Sequence, residues 1–211
     1  MPVPQHFITG ALAGLGEIRS SPVLLALAAR AAMIFFFFGL IGPLYVLYAV
    51  RDLQFSPLLL GFVIAAGGVA NLAGAYFAAA VSKFAGLRTA MVGSSICVAL
   101  AIAVIALPEG PGMLALTAFV VQQVFGDSAS VVYNVNEITL RQRITPEALL
   151  GRVNASMQLL TRGIYPIGAL MSGMIAEQIG IRATMGVAAA GILVSTALLL
   201  PVQQWPDELT N

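Results

Sequence analysis

The chain has 211 residues, of which 59% are hydrophobic and 9% charged, with a formal net charge of +1. An ordinary soluble domain carries about 45–50% apolar and about 25% charged residues, so this composition excludes a soluble globular enzyme and a disordered tail, and the balanced charge excludes a nucleic-acid binder. One cysteine, Cys97, and one histidine, His6, leave nothing for an internal disulfide, a zinc site or a Ser/His or Cys/His pair, and there is no phosphate-binding G-x-x-x-x-G-K-[ST] loop, so no cofactor and no enzymatic activity are expected.

Residues 1–18 lack a basic segment and carry only Glu17, so they do not read as a signal peptide, and residues 1–22 read as a linker. Six apolar stretches follow, at 23–50, 57–81, 89–107, 112–135, 152–177 and 183–202. Each is close to the roughly 20 residues that cross about 30 Å of hydrocarbon. They read as helices because lipid offers backbone polar groups no outside partner, and they are too long and uniform for barrel strands. The expected fold is an all-α membrane protein, a six-transmembrane-helix bundle over 23–205 with a short tail at 206–211.

The breaks carry helix-start chemistry. Ser21-Pro22 and Ser56-Pro57 place a capping hydroxyl before a proline at the first helical position. Thr145-Pro146-Glu147 repeats the pattern and is expected to start a short surface helix. Gly86, Gly110-Pro111-Gly112 and Gly180 mark the other turns. Pro43 and Pro166, inside the first and fifth spans, are expected to bend them.

With six spans, Arg19, Lys83, Arg88, Arg141, Arg143 and Arg152 fall on one side and Arg51 and Arg182 on the other. This imbalance predicts both termini in the cytoplasm of a plasma-membrane protein. Arg30 and Arg162 remain inside spans. Arg30, near the start of the first, is expected to snorkel back to the cytoplasmic surface.

The first span also carries the run Phe35 to Phe38, read as packing and lipid contact or as an aromatic cage. The second carries the small-residue stripe Ala66, Ala70, Gly74 and Ala78, which permits close helix approach, and Asn71, a helix bridge or a ligand contact. The third and sixth contain no charge and can sit against lipid. In the fourth, Gln123, Asp127, Ser130, Asn134, Glu137 and Arg141 recur every three or four residues. At about 100° per residue they lie within about 40° of one line, a polar ridge that must face water or polar helices. Tyr133 and Asn136 widen it. Glu137 reads as a partner of Arg30, Arg141 or Arg143. The fifth span offers Asn154, Gln158, Arg162 and Tyr165 on one face, continued by Ala169, Ser172 and Ala176. At about 1.5 Å per residue, Asp127 and Tyr165 lie level, with Arg162 about one turn away. Asp127 then reads either as paired with Arg162, in a gate or a structural cluster, or as an unpaired proton-coupling group.

The segment from Tyr133 to Ser156, YNVNEITLRQRITPEALLGRVNAS, resembles the loop between spans ten and eleven of major facilitator superfamily transporters, in the efflux branch that includes macrolide and siderophore (enterobactin) exporters. Residues 166–173, 177–183 and 47–57 resemble the same branch. The loop Ser82 to Arg88 is similar to the superfamily's cytoplasmic motif, with Ser82 where aspartate is usual. The resemblance covers about residues 15–202 and implies the C-terminal six-helix half of a twelve-helix fold. It implies a cavity lined by the first and fourth spans, the second and fifth facing the other half, and the third and sixth outside. The implied function is proton-coupled efflux of amphipathic small molecules by antiport. Asp127, Arg162, Tyr165, Gln123, Ser130, Asn134, Glu137 and Gln158 are the substrate- or proton-pathway candidates. Arg141, Arg143, Arg152, Lys83 and Arg88 are the cytoplasmic gating candidates. The implied partners are the lipid bilayer, a second six-helix half and a small-molecule substrate. The alternative is a non-transporting scaffold, or a gene remnant, whose polar ridge only packs against partner helices.

Overall fold

The structure, a computed structural model, describes residues 14–200. His6, the first part of the linker and the tail at 206–211 lie outside the described residues. Six helices are long and apolar enough to cross a membrane: α1 (Pro22–Asp52), α2 (Pro57–Ala85), α3 (Leu87–Ile105), α4 (Met113–Ile144), α5 (Glu147–Ile179) and α6 (Ile181–Leu199). No strand occurs among the described residues.

The capping chemistry is as the sequence implies. Ser21 Oγ accepts from the Leu24 amide at 3.4 Å and Ser56 Oγ from the Leu59 amide at 3.2 Å, each ahead of a proline in the first turn. Gly86 and Gly180, at φ 80° and 84°, are the single-residue breaks between α2 and α3 and between α5 and α6. A side chain is strained in that backbone region, so glycine is the residue that turns the chain there.

Two boundaries differ from expectation. Thr145-Pro146 does not start a separate surface helix; it opens α5 itself, and only those two residues separate α4 from α5. Hydropathy registers hydrocarbon rather than helix, so the charged ends of both helices fall outside the apolar stretches. Residues 14–20, inside the linker reading, are helical. Their glycines disfavour an isolated helix, but Ile18 is buried and Gly14 rests on the Arg152 carbonyl and Ser156 of α5, so packing holds the segment.

The core is stacked in three layers along the bundle. One joins Leu24, Leu27, Met91, Leu140 and Met157 where the chain enters α1. A middle layer joins Ile34, Leu40, Val98, Ile102 and Ile192. At the opposite end Phe119 is fully buried, with the rings of Tyr45, Tyr48 and Phe55 at 4.8, 6.2 and 5.2 Å. That end is tied by Arg182, which donates to the Ala106 and Leu107 carbonyls and pairs with Glu109 at 3.1 Å. Arg88, at the entry end, donates to the Leu200 carbonyl at 2.9 Å.

α1 packs chiefly on α5 and α6, and α4 chiefly on α2 and α3. The α2 stripe meets α4, but its register is Gly67, Ala70, Gly74 and Ala78; Ala66 is only half-buried. Gly74 lies against the Ser128 backbone and Gly67 against Gln123 and Asp127. α5 meets α1 at Gly168, beside the predicted track, against the Phe36 carbonyl, and Gly39 of α1 lies against the Tyr165 and Ala169 backbone; Ser172 of the track is buried. Within this half the periphery belongs to α5 and α2, of whose most apolar stretches 11% and 28% is buried, against 50% for α3 and 44% for α6. Absence of charge marks α3 and α6 as apolar throughout, which suits a helix packed among others as well as one in lipid.

Candidate functional site

The polar ridge of α4 is not continuous. Residues Gln122–Asp127 form a π-turn inside the helix. Such a turn inserts one residue into the α register and rotates what precedes it by about 100°. A spacing rule at constant rotation cannot see this. Gln123 and Asp127 are therefore carried toward α2, and Ser130, Asn134, Glu137 and Arg141 toward α1 and α5.

On the α2 side, Gln123 Nε2 donates to the Val63 carbonyl at 3.4 Å, and Gln122 Nε2 donates to Asp127 Oδ1 at 3.2 Å. Tyr45 lies within electrostatic range of Asp127 and its hydroxyl is buried without a hydrogen-bond partner. Asp127 has no ion pair among the described residues. The pairing with Arg162 is thus not formed: Arg162 is exposed on α5, while Tyr165, partly exposed, places its hydroxyl beside Gly42 of α1. Asn71 is exposed on α2 and bridges to no other helix among the described residues.

On the other side the ridge lines a cleft of about 320 Å³ between α1, α4 and α5. α4 contributes Ser130, Tyr133, Asn134, Glu137 and Arg141; α5 contributes Met157, Gln158 and Thr161. α1 contributes Arg30, Ile34, Phe35 and Phe38, and Val98 of α3 closes the floor. The aromatic run of α1 is therefore divided. Phe35 and Phe38 meet edge to face at 6.4 Å on the cleft wall, whereas Phe37 packs on Gly191 of α6.

Arg30 does not snorkel. It is 1% exposed, its guanidinium carbon sits 3.5 Å above the centre of the Tyr133 ring, and Nη2 donates to Ser95 Oγ at 2.7 Å. Stacking a desolvated arginine on an aromatic face contributes about 2 kcal/mol, which helps hold the side chain inward. Glu137 pairs with Arg141 one turn along α4, at 3.4 Å, with both side chains largely buried. Neighbouring Asn136 turns away and returns its amide to the Val132 carbonyl at 2.8 Å.

Of the sequence candidates, the structure thus brings Ser130, Asn134, Glu137, Arg141 and Gln158 together, sets Gln123 and Asp127 apart as a second polar cluster, and leaves Arg162 and Tyr165 outside both. Lys83 and Arg143 flank a groove between the ends of α2 and α4, with Ser82 bonded back to the Ala78 carbonyl at 2.9 Å. Arg152 is exposed and Arg88 is held by Leu200. Arg30, Ser95, Phe35 and Phe38 were not among the site candidates. The signal for Arg30 was in the sequence, since an ionisable residue inside a span faces a protein interior or a cavity by default. Nothing in the sequence pointed to Ser95.

The family model described as Major Facilitator Superfamily matches residues 27–208 of the chain. A protein described as multidrug efflux pump Tap, from Mycolicibacterium fortuitum, is 34% identical over 130 residues. That alignment covers 61% of this chain and 30% of the pump, so the match spans less than a third of this relative's length. Among the described residues, no group of three or more His, Cys, Asp or Glu is placed to hold a metal ion.

Proposed function

We propose that this chain, which belongs to the Major Facilitator Superfamily, acts as the C-terminal six-helix half of a secondary exporter of amphipathic small molecules. The observation that carries this reading is the cleft between α1, α4 and α5, which joins a buried arginine and an ion pair to an aromatic and aliphatic wall. A midplane site at the face of one helical repeat, completed by a second, is how such exporters alternate access. The similarity to a multidrug efflux pump supports export, and the resemblance of residues 133–156 supports the macrolide and siderophore branch. The excess of Lys and Arg at the end where α1 begins supports a cytoplasmic placement of that end in the plasma membrane.

Proton coupling is assigned to Asp127. It lies within a span, takes an amide hydrogen bond from Gln122 and has no cation partner among the described residues, so its charge state is free to follow proton supply. Asp127→Asn keeps the shape and the amide contact but holds no exchangeable charge. In cells expressing the protein with its other half, this variant is expected to abolish proton-gradient-dependent efflux of a fluorescent amphipathic dye while protein level and membrane insertion are unchanged. Unchanged efflux would remove Asp127 from the coupling pathway. Loss of assembly instead would mark the cluster as a packing scaffold.

A further inference from the structure

We infer that the cleft selects amphipathic anions: it binds a carboxylate, sulfonate or phosphate whose apolar body lies on Phe35, Phe38 and Val98. The inference rests on the reading of this cleft as the substrate site and adds the charge of what enters it.

The argument is one of charge balance. Arg30 and Arg141 both line the cleft, and Glu137 is the one carboxylate among its lining residues. Glu137 forms its ion pair with Arg141 at 3.4 Å; it lies within electrostatic range of Arg30 as well, but no carboxylate forms an ion pair with Arg30 among the described residues. Two guanidiniums against one carboxylate leave one positive charge over. It sits on a residue that is 1% exposed, where water screens it poorly. The Nε of Arg30 and the Nε of Arg141 are both buried without a hydrogen-bond partner. Ser95 and the Tyr133 face hold the Arg30 guanidinium but bring no negative charge. An anionic group in the cleft supplies the missing charge. Ser130, Asn134 and Gln158 add neutral hydrogen-bonding groups along the wall. The apolar remainder of the lining accommodates a ring or short chain rather than an inorganic ion.

The test compares three probes with one body: naphthalene-2-sulfonate, 2-naphthylmethanol and 2-naphthylmethylammonium, titrated calorimetrically into the protein purified together with its other half in non-ionic detergent. Charge-assisted hydrogen bonds predict that the sulfonate binds at least about tenfold tighter than the alcohol, with the ammonium weakest. Arg30→Gln is expected to erase the preference. Glu137→Gln, which removes the competing carboxylate, is expected to tighten sulfonate binding, an outcome that a misfolded protein does not give. Equal binding of sulfonate and alcohol, preference for the ammonium, or weaker sulfonate binding by Glu137→Gln would overturn the inference while leaving a small-molecule cleft intact. Failure of all three probes to bind would overturn the cleft as a substrate site, and the inference with it.

Discussion

Gly168→Ala is expected to destabilise the protein by about 3 kcal/mol or more, the upper end of what overpacking costs. A Cβ at position 168 falls onto the Phe36 carbonyl of α1 and within 3.0 Å of the Leu40 nitrogen. Gly39 stands in the reciprocal position, against the Tyr165 carbonyl and 3.1 Å from the Ala169 nitrogen. The obstructing atoms are backbone on both sides, so no rotamer change relieves the clash and the two helices must separate. That separation opens the most extensive helix contact of the bundle and one wall of the cleft together. Gly186→Ala is the matched control. Nothing lies within 4 Å of its added Cβ, and the gain in helix propensity is about 1 kcal/mol. Thermal unfolding in detergent, followed by circular dichroism, separates the two: an early melt for Gly168→Ala and an unchanged or later melt for Gly186→Ala.

Arg30→Met is expected to fold and insert at least as well as the parent, yet to lose substrate binding in the cleft. An arginine inside a span is costly to insert, up to about 2.5–3.5 kcal/mol at the centre of a helix and less toward its end, and an apolar side chain of similar length removes that cost while filling the same space. Ser95 keeps a partner, because its hydroxyl also donates to the Met91 carbonyl at 2.8 Å. Arg30→Ala is expected to cost about 2–5 kcal/mol, because truncation leaves a cavity that the neighbours cannot close. A residue kept for structure alone would show the same loss in stability and in binding for both variants. A residue kept for the ligand shows binding lost in both and stability lost only in the alanine variant. Melting temperature and probe affinity, measured on the same preparations, distinguish the two cases.

The bundle was legible in the sequence because its physics is coarse. Long charge-poor runs, serine-proline starts and glycine breaks give six spans, and lipid leaves few other ways to satisfy a backbone. The ends were less legible, since Arg141, Arg143 and Glu147 are helical outside the hydrocarbon-like stretches. The site was legible in its residue types and not in its geometry. Ser130, Asn134, Glu137 and Arg141 keep their spacing because they lie in one unbroken α segment. Gln123 and Asp127 leave the line because the π-turn intervenes. Arg30 shows a different limit. Its distance from the start of α1 allows snorkelling as readily as burial, and the choice is made by Tyr133 and Ser95, which are remote in sequence. Of the two readings of Asp127, the one that pairs it with Arg162 rests on matched depth alone. Depth fixes level but not azimuth, and Arg162 is exposed on α5 rather than turned to Asp127.

Thiol labelling tests most directly whether the α4 ridge faces an aqueous cleft inside a membrane-spanning bundle. With Cys97→Ala as background, Asn134→Cys places a thiol in the cleft, about 10 Å along α4 from Arg141 at about 1.5 Å per residue. Leu193→Cys places one at comparable depth on α6, where Leu193 is 45% exposed on the outer surface. In membrane vesicles, a charged, water-soluble thiol reagent is predicted to modify Asn134→Cys and to spare Leu193→Cys. Rapid modification of Leu193→Cys with Asn134→Cys inert would place the ridge against lipid and contradict the account.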